Sequence, residues 1–212
     1  MRRGTEIDSE LNRVVKAYGR WIRSPSTMSR IQADGRLPSA VEFASESAVV
    51  QHRPTRKILK YLEAIGLMPV DAQVRVVDTD ARCRTAADIV CARVERISSL
   101  VIVEVKCGFD GYVSLSSGRM QFELRKVPDS PRNQHHLQVA VTRELYMRTY
   151  TGDVDAIVLW ANESTVRHER VERWAAVHAS DVLDRIKKKA PPLEVPKQRK
   201  TRVGKIAKTR RV

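Results

Sequence analysis

Between residues 6 and 23 the apolar side chains return every three or four positions: Ile7, Leu11, Val14, Val15, Tyr18 and Ile22. That period predicts an amphipathic helix. RSPSTMSR, residues 23–30, has the composition of a linker. Ser39 is placed to cap a second helix running to about His52, with Val41, Ala44, Ala48 and Val49 inward. Pro54 interrupts it. Helical spacing resumes over 55–65 through Ile58, Leu59, Leu62 and Ile65, and Gly66 is a stop.

The period then shortens. QVRVVD (73–78) alternates like a strand, TDAR is a polar turn, and TAADIVCARV and SLVIVEVK read as two further strands. Residues 107–133 form a long connection with glycines and two prolines and room for a short strand. QHHLQVAVTRELYMRTY reads as a helix with Leu137, Val141, Leu145 and Tyr146 on one side. VDAIVLWAN (154–162) is a buried strand, and VERWAAVHASDVLDRIKK mixes a short strand with a closing helix. After Ala190 no period is left, and that composition predicts a disordered tail. The order predicts an α/β sandwich with a mixed sheet. The expected division is an N-terminal helix and linker (1–30), a domain (31–189) and a basic tail (190–212).

Composition narrows the class. The chain has 212 residues, enough for one domain with appended tails. No apolar run approaches ~18 residues, so no membrane span is expected. The basic start lacks the apolar middle of a signal peptide. Cys83, Cys91 and Cys107 form no CxxC pair, which points to reduced thiols and an intracellular protein. The net charge is +14, and from Arg185 onward twelve Lys and Arg stand against one acid, Glu194. A polyanion partner, nucleic acid first, is the natural inference. A solubilising tail or a nuclear address fits the same composition.

One stretch carries chemistry. LVIVEVK is an apolar strand that ends in Glu104-Val105-Lys106. On a strand Glu104 and Lys106 share a face. Asp88 lies on the preceding strand, where hairpin pairing brings it beside Glu104. Two such carboxylates at a buried sheet end repel, and each is costly to desolvate alone. A divalent cation removes that conflict, and oxygen ligands without His or Cys favour Mg²⁺ or Mn²⁺. The Val105 carbonyl is a further candidate ligand. Lys106 would then orient a nucleophile or neutralise charge on a phosphate.

Ala87-Asp88 followed by Glu104-Val105-Lys106 resembles the PD-(D/E)XK nuclease signature, with Ala87 where the family's proline usually stands. The resemblance spans about residues 39–162 and implies a restriction-endonuclease-like core, a mixed central sheet flanked by helices. The exonuclease-like branch (lambda exonuclease, the RecB nuclease domain) adds a Gln on the helix after the Lys strand. Gln138 is the better match, and Gln134 lies one turn earlier. An upstream helical acid often joins the metal site in that branch; Glu42 and Glu46 are the candidates. The resemblance implies a metal-dependent DNA nuclease that processes ends or single strands in replication, recombination or repair, RNA not being excluded. In that reading Asp88 and Glu104 hold Mg²⁺ with Val105, Lys106 positions the nucleophile, and Gln138 supports Lys106 or the substrate. The alternative is a non-catalytic nucleic-acid-binding protein acting through its basic tail.

Other residues read more plainly. His135 and His136, adjacent on a helix, face different ways and make a poor ligand pair. Trp160 belongs to the core. Gly108, Gly111 and Gly118 are turn residues. Phe109, Tyr112, Arg119, Phe122 and Arg125 interleave rings and cations, as a DNA-contacting segment or as a solvated hairpin.

Overall fold

A computed structural model describes residues 2–35, 38–46, 50–79, 83–108, 115–116, 118–150 and 152–189. Four helices come first: α1 (Arg2–Ile22), α2 (Pro25–Asp34), α3 (Ala40–Glu46) and α4 (Arg53–Ala64). Three strands follow, β1 (Leu67–Asp78), β2 (Cys83–Arg93) and β3 (Arg96–Cys107), then α5 (Pro131–Thr149), β4 (Asp153–Ala161), β5 (Val166–Arg170) and α6 (Arg173–Lys189).

The strands form one mixed sheet in the order β1-β2-β3-β4-β5. Only β3 and β4 run parallel, and α5 makes the crossover between them. Two cores cover the two faces. On one, Leu11, Val14, Val15 and Tyr18 of α1 and Ile58, Leu59 and Leu62 of α4 pack on Val101, Val103, Ile157 and Leu159. On the other, Val139, Leu145 and Tyr146 of α5 and Leu183 of α6 pack on Ile102, Val158 and Trp160. This is the helix–sheet–helix sandwich that the order of elements predicts, and Trp160 is fully buried in it.

Several expectations need correction. The stretch expected to be a linker, 23–30, is helical from Pro25. Ser24 caps it, accepting the Thr27 N–H at 3.4 Å, and Pro25 takes the first turn, where a missing N–H costs nothing. Nor does α1 stand apart as an N-terminal appendage, because its apolar stripe is a wall of the first core. The short strand lies at 166–170, before the segment expected to hold it. Its Val-Arg-His-Glu-Arg sequence gives little apolar alternation because it is a sheet edge. On α5 the inward positions are His136, Val139, Ala140, Leu145 and Tyr146, while Leu137 and Val141 sit at the margins. Residues 190–212, Phe109, Gly111 and Tyr112 lie outside the described residues.

The β1–β2 hairpin carries a register shift between Pro69 and Asp71 and is interrupted again at one rung further on. The pairs Ala72↔Ile89 and Val74↔Ala87 are kept, but Gln73 and Asp88 between them are not paired. Ala72 and Ile89 face the α1 side, whereas Val74 and Ala87, two residues on, face the α5 side. Regular alternation would keep residues two apart on one face. Both strands therefore turn over at Gln73 and Asp88. Gln73 has φ +51°, a left-handed conformation that side chains other than Gly rarely take.

Candidate active site

The turned-over rung delivers Asp88. The β2–β3 ladder ends at Ile89↔Val103, so its next rung would set Asp88 opposite Glu104 and the following one Ala87 opposite Val105. Instead, the Asp88 carboxylate reaches across and accepts the Val105 N–H through Oδ2 at 3.0 Å. Its other oxygen, Oδ1, accepts from the Gln73 amide at 3.0 Å. In an extended strand a residue's N–H and C=O point to the same side, so the Val105 carbonyl also faces this gap.

Glu104 lies on the α5 side of β3 and is 1% exposed. Its Oε1 accepts from Lys106 Nζ at 2.7 Å and from the Gln138 amide at 2.6 Å. Lys106 Nζ also donates to Gln138 Oε1 at 3.4 Å. Three side chains from two elements thus lock together, with Gln138 from α5 bridging the acid and the lysine. Gln134 plays no part: its amide holds Asp129 at the outer start of α5. Glu104 Oε2 is buried without a hydrogen-bond partner. An unmatched carboxylate oxygen at a sheet end is costly.

The electrostatics carry the same conflict. Burial, and then Asp88, push the Glu104 carboxyl up to about 7, although Lys106 works against them. Asp88 is raised by burial and held back by the Val105 N–H, Lys106 and Gln73. A third acid, absent from the expected set, faces the group from the other layer. Asp8 of α1 hydrogen-bonds the Cys107 thiol, and its carboxyl is raised by burial and then by Asp88. Burial and Asp8 in turn push that thiol up to about 12. Asp8 follows Ile7 and precedes Leu11 by one turn, on the margin of the buried stripe; that position was the available signal for it. Glu42, one of the two candidate helical acids, is exposed in the first turn of α3 and is not among the charges acting on Asp88 or Glu104. The Glu46 side chain lies outside the described residues.

The two histidines separate as expected. His136 is fully buried; its Nε2 bonds Glu169 at 3.0 Å, and its Nδ1 accepts the Glu172 N–H at 3.4 Å. It ties α5 to the β5–α6 connection. His135 lies 5.3 Å from the Trp160 ring, and burial, then Lys106, hold it down to about 4. It is therefore a neutral wall of the site. Arg119, Phe122 and Arg125 belong to a small closed loop, in which Met120 N–H bonds Val127 O at 3.0 Å and Arg185 lies over the Phe122 ring. A cavity of about 630 Å³ lined by Ile31, Leu67, Met68 and Ile97 lies at the opposite end of β3 and takes no part in this cluster.

The donor set fits a hard divalent cation. Glu104 Oε2 is unused, the Asp88 charge acts on Glu104, and the Val105 carbonyl faces the gap that the Asp88 carboxylate enters. Among the described residues no three His, Cys, Asp or Glu side chains converge as a ready cage. Magnesium does not need one, because it keeps several waters and takes one or two carboxylates.

No protein-family model matches the chain. No curated protein matches it either. Among solved structures it is similar to a crystal structure from Eubacterium rectale named "Putative exonuclease", at 11% identity and a TM-score of 0.36. The match covers 71% of this chain and 62% of that one, so the chain spans under two thirds of that protein's length. No helix among the described residues is long and apolar enough to cross a membrane.

Proposed function

We propose that this chain is a divalent-metal-dependent nuclease that hydrolyses phosphodiester bonds of DNA, at ends or in single strands. The observation that carries the reading is Glu104. A buried carboxylate uses one oxygen for Lys106 and Gln138 and leaves the other without a partner, beside a second acid. Such a group costs stability, which marks the cluster as a candidate functional site.

Asp88, Glu104 and the Val105 carbonyl would hold Mg²⁺ or Mn²⁺, with Asp8 near enough to influence them. Bound there, the cation supplies Lewis-acid polarisation of the phosphate and a water of lowered pKa. The side chains supply orientation. Lys106 has three N–H donors, and Glu104 and Gln138 take two of them. The third is left to hold an attacking water or a non-bridging phosphate oxygen in line with the scissile bond. Gln138 fixes the lysine's rotamer and the acid's together, so neither has to be ordered during the reaction. His135, being neutral, walls the site without adding a competing charge.

The test is incubation of linear, circular and single-stranded DNA, and of RNA, with Mg²⁺, with Mn²⁺ and with chelator. Metal-dependent cleavage that disappears in both Asp88→Ala and Lys106→Ala supports the reading. Binding of nucleic acid without cleavage under any metal refutes it and leaves a non-catalytic binding protein.

A further inference from the structure

The outer face of α4 carries Arg53, Arg56, Lys57 and Lys60, at spacings that stack them in one row. The opposite face, Thr55, Ile58, Leu59 and Leu62, is buried. Among the described residues none of the four cations is ion-paired with an acid. Arg56 holds the Val50 carbonyl at 3.1 Å, and Lys57 holds the carbonyls of Glu163 and Ser164, both at 2.8 Å. Arg53 and Lys60 hold no other described side chain.

Lys57 ties the row to the sheet end that carries the candidate active site. Glu163 and Ser164 form the β4–β5 turn, which follows Ala161. Ala161 is paired with Cys107, and its carbonyl takes the Gly108 N–H at 3.0 Å. From α1, Glu10 occupies the N–H groups of Gln51 and His52 in front of α4, two residues on from Asp8. The Glu10 carboxylate thus already stands in front of the helix end, which leaves the side chains of this face to hold an anion.

We propose that this face of α4 is a phosphate track that holds the polynucleotide strand running to or from the Asp88–Glu104 site. The proposal rests on the nuclease reading for the direction of the strand. Four cations over eight residues, seven helical rises, span about 10 Å of helix. That matches roughly three phosphates of a duplex strand, which advance about 3.4 Å each. An anionic membrane suits the face poorly, because interfacial helices insert an apolar face, and that of α4 is spent on the core. The contacts would fix position without reading bases.

The experiment compares two full-length variants of equal charge change, Arg53→Gln/Lys60→Gln on α4 and Arg93→Gln/Arg96→Gln at the β2–β3 turn, the opposite end of β3 from Lys106. Binding to a labelled oligonucleotide is titrated against salt in chelator, so cleavage cannot interfere. The α4 variant should bind more weakly, and its slope of log affinity against log salt should be shallower by about 1.5, at about 0.7–0.9 for each phosphate no longer neutralised. Lys60→Gln alone should give about half that change, and the β3 variant none. Equal slopes in all three proteins, or equal losses in both double variants, overturn the track. So does a preference for anionic vesicles over oligonucleotide that depends on Arg53 and Lys60. If the α4 effect appears but the wild type never cleaves with metal, the track stands and the nuclease reading falls. If the wild type cleaves and the α4 slope is unchanged, the nuclease reading stands and the track falls.

Discussion

Asp88 accepts the Val105 backbone N–H at 3.0 Å, in the place where regular pairing would set Ala87 opposite Val105. A side chain has replaced main chain in the ladder. The regular ladder ends there, and the residue before Val105, Glu104, keeps an unmatched oxygen.

The first expectation concerns that oxygen. Glu104 is raised from 4.5 to about 7, so the folded state prefers it protonated. Its contribution to stability is complete below the unfolded value and is lost as pH rises through about 7. In chelator, Glu104→Gln should therefore be more stable than wild type at pH 8, by about 1–3 kcal/mol once the lost Lys106 pairing is deducted. Near pH 4 the difference should vanish. Urea melts at the two pH values measure it. Added Mg²⁺ should stabilise the wild type and not the variant, and the variant should not cleave DNA.

Gln138 and Gln134 make a paired test. Gln138→Ala removes a 2.6 Å bond to Glu104 and the tether on Lys106, and cleavage should fall by about 10–100-fold. Gln134→Ala removes only a bond to exposed Asp129 and should leave cleavage within about twofold of wild type. Equal losses in both would place the working glutamine a turn away from the one in contact.

Gln73 separates strain from orientation. Its φ of +51° suits glycine better than alanine. Gln73→Gly should be more stable than Gln73→Ala by about 1 kcal/mol. Both should lose about tenfold in cleavage, because neither can hold Asp88 Oδ1. Recovery of activity in Gln73→Gly would show that the backbone turn alone places the acid.

His135 reports acid stability. Held down to about 4, it stabilises the fold above pH 6.5, and that contribution is lost as pH falls toward 4. His135→Gln removes the titration. By urea melts, it should lose about 1 kcal/mol less than wild type between pH 7 and pH 4, because solvent screens much of the shift of a half-buried ring.

Residues 190–212 carry eight Lys and Arg against Glu194. Their removal should leave the melting temperature unchanged while weakening DNA affinity and flattening its salt dependence by about 0.7–0.9 for each phosphate the segment had neutralised. An unchanged salt slope would assign the segment to targeting, read by whether it carries a fluorescent cargo into a nucleus.

The helical stripe of α1, the run into Glu104-Val105-Lys106 and Asp88 on the strand before it were legible because each rests on a short-range period. Gln138 was legible only through the resemblance, since its own helix face is set by His136 and Val139 rather than by the Leu137–Val141 spacing. Gln73 was not legible, and Asp8 was legible only as an acid on the margin of the α1 stripe, not as a neighbour of the strand end. Asp8 meets the strand end only after a helix far upstream in the chain packs on the sheet, and chain order gives no hint of that. The left-handed turn at Gln73 contradicts its residue type and exists because Asp88 lies across from it.

The unpaired rung at Gln73 and Asp88 also bears on how the molecule can be edited. Pairing on either side of it keeps one register, and only the faces are exchanged. Cut both residues out together and Ala72 joins Val74 while Ala87 joins Ile89, each neighbour pair already pointing to opposite faces. What remains pairs without that interruption and keeps the register shift between Pro69 and Asp71. The acid thus rides on a removable unit of two residues, one per strand. The double deletion should fold and melt like the parent yet lack the acid entirely. Either single deletion should throw the outer half of the hairpin out of step and unfold it.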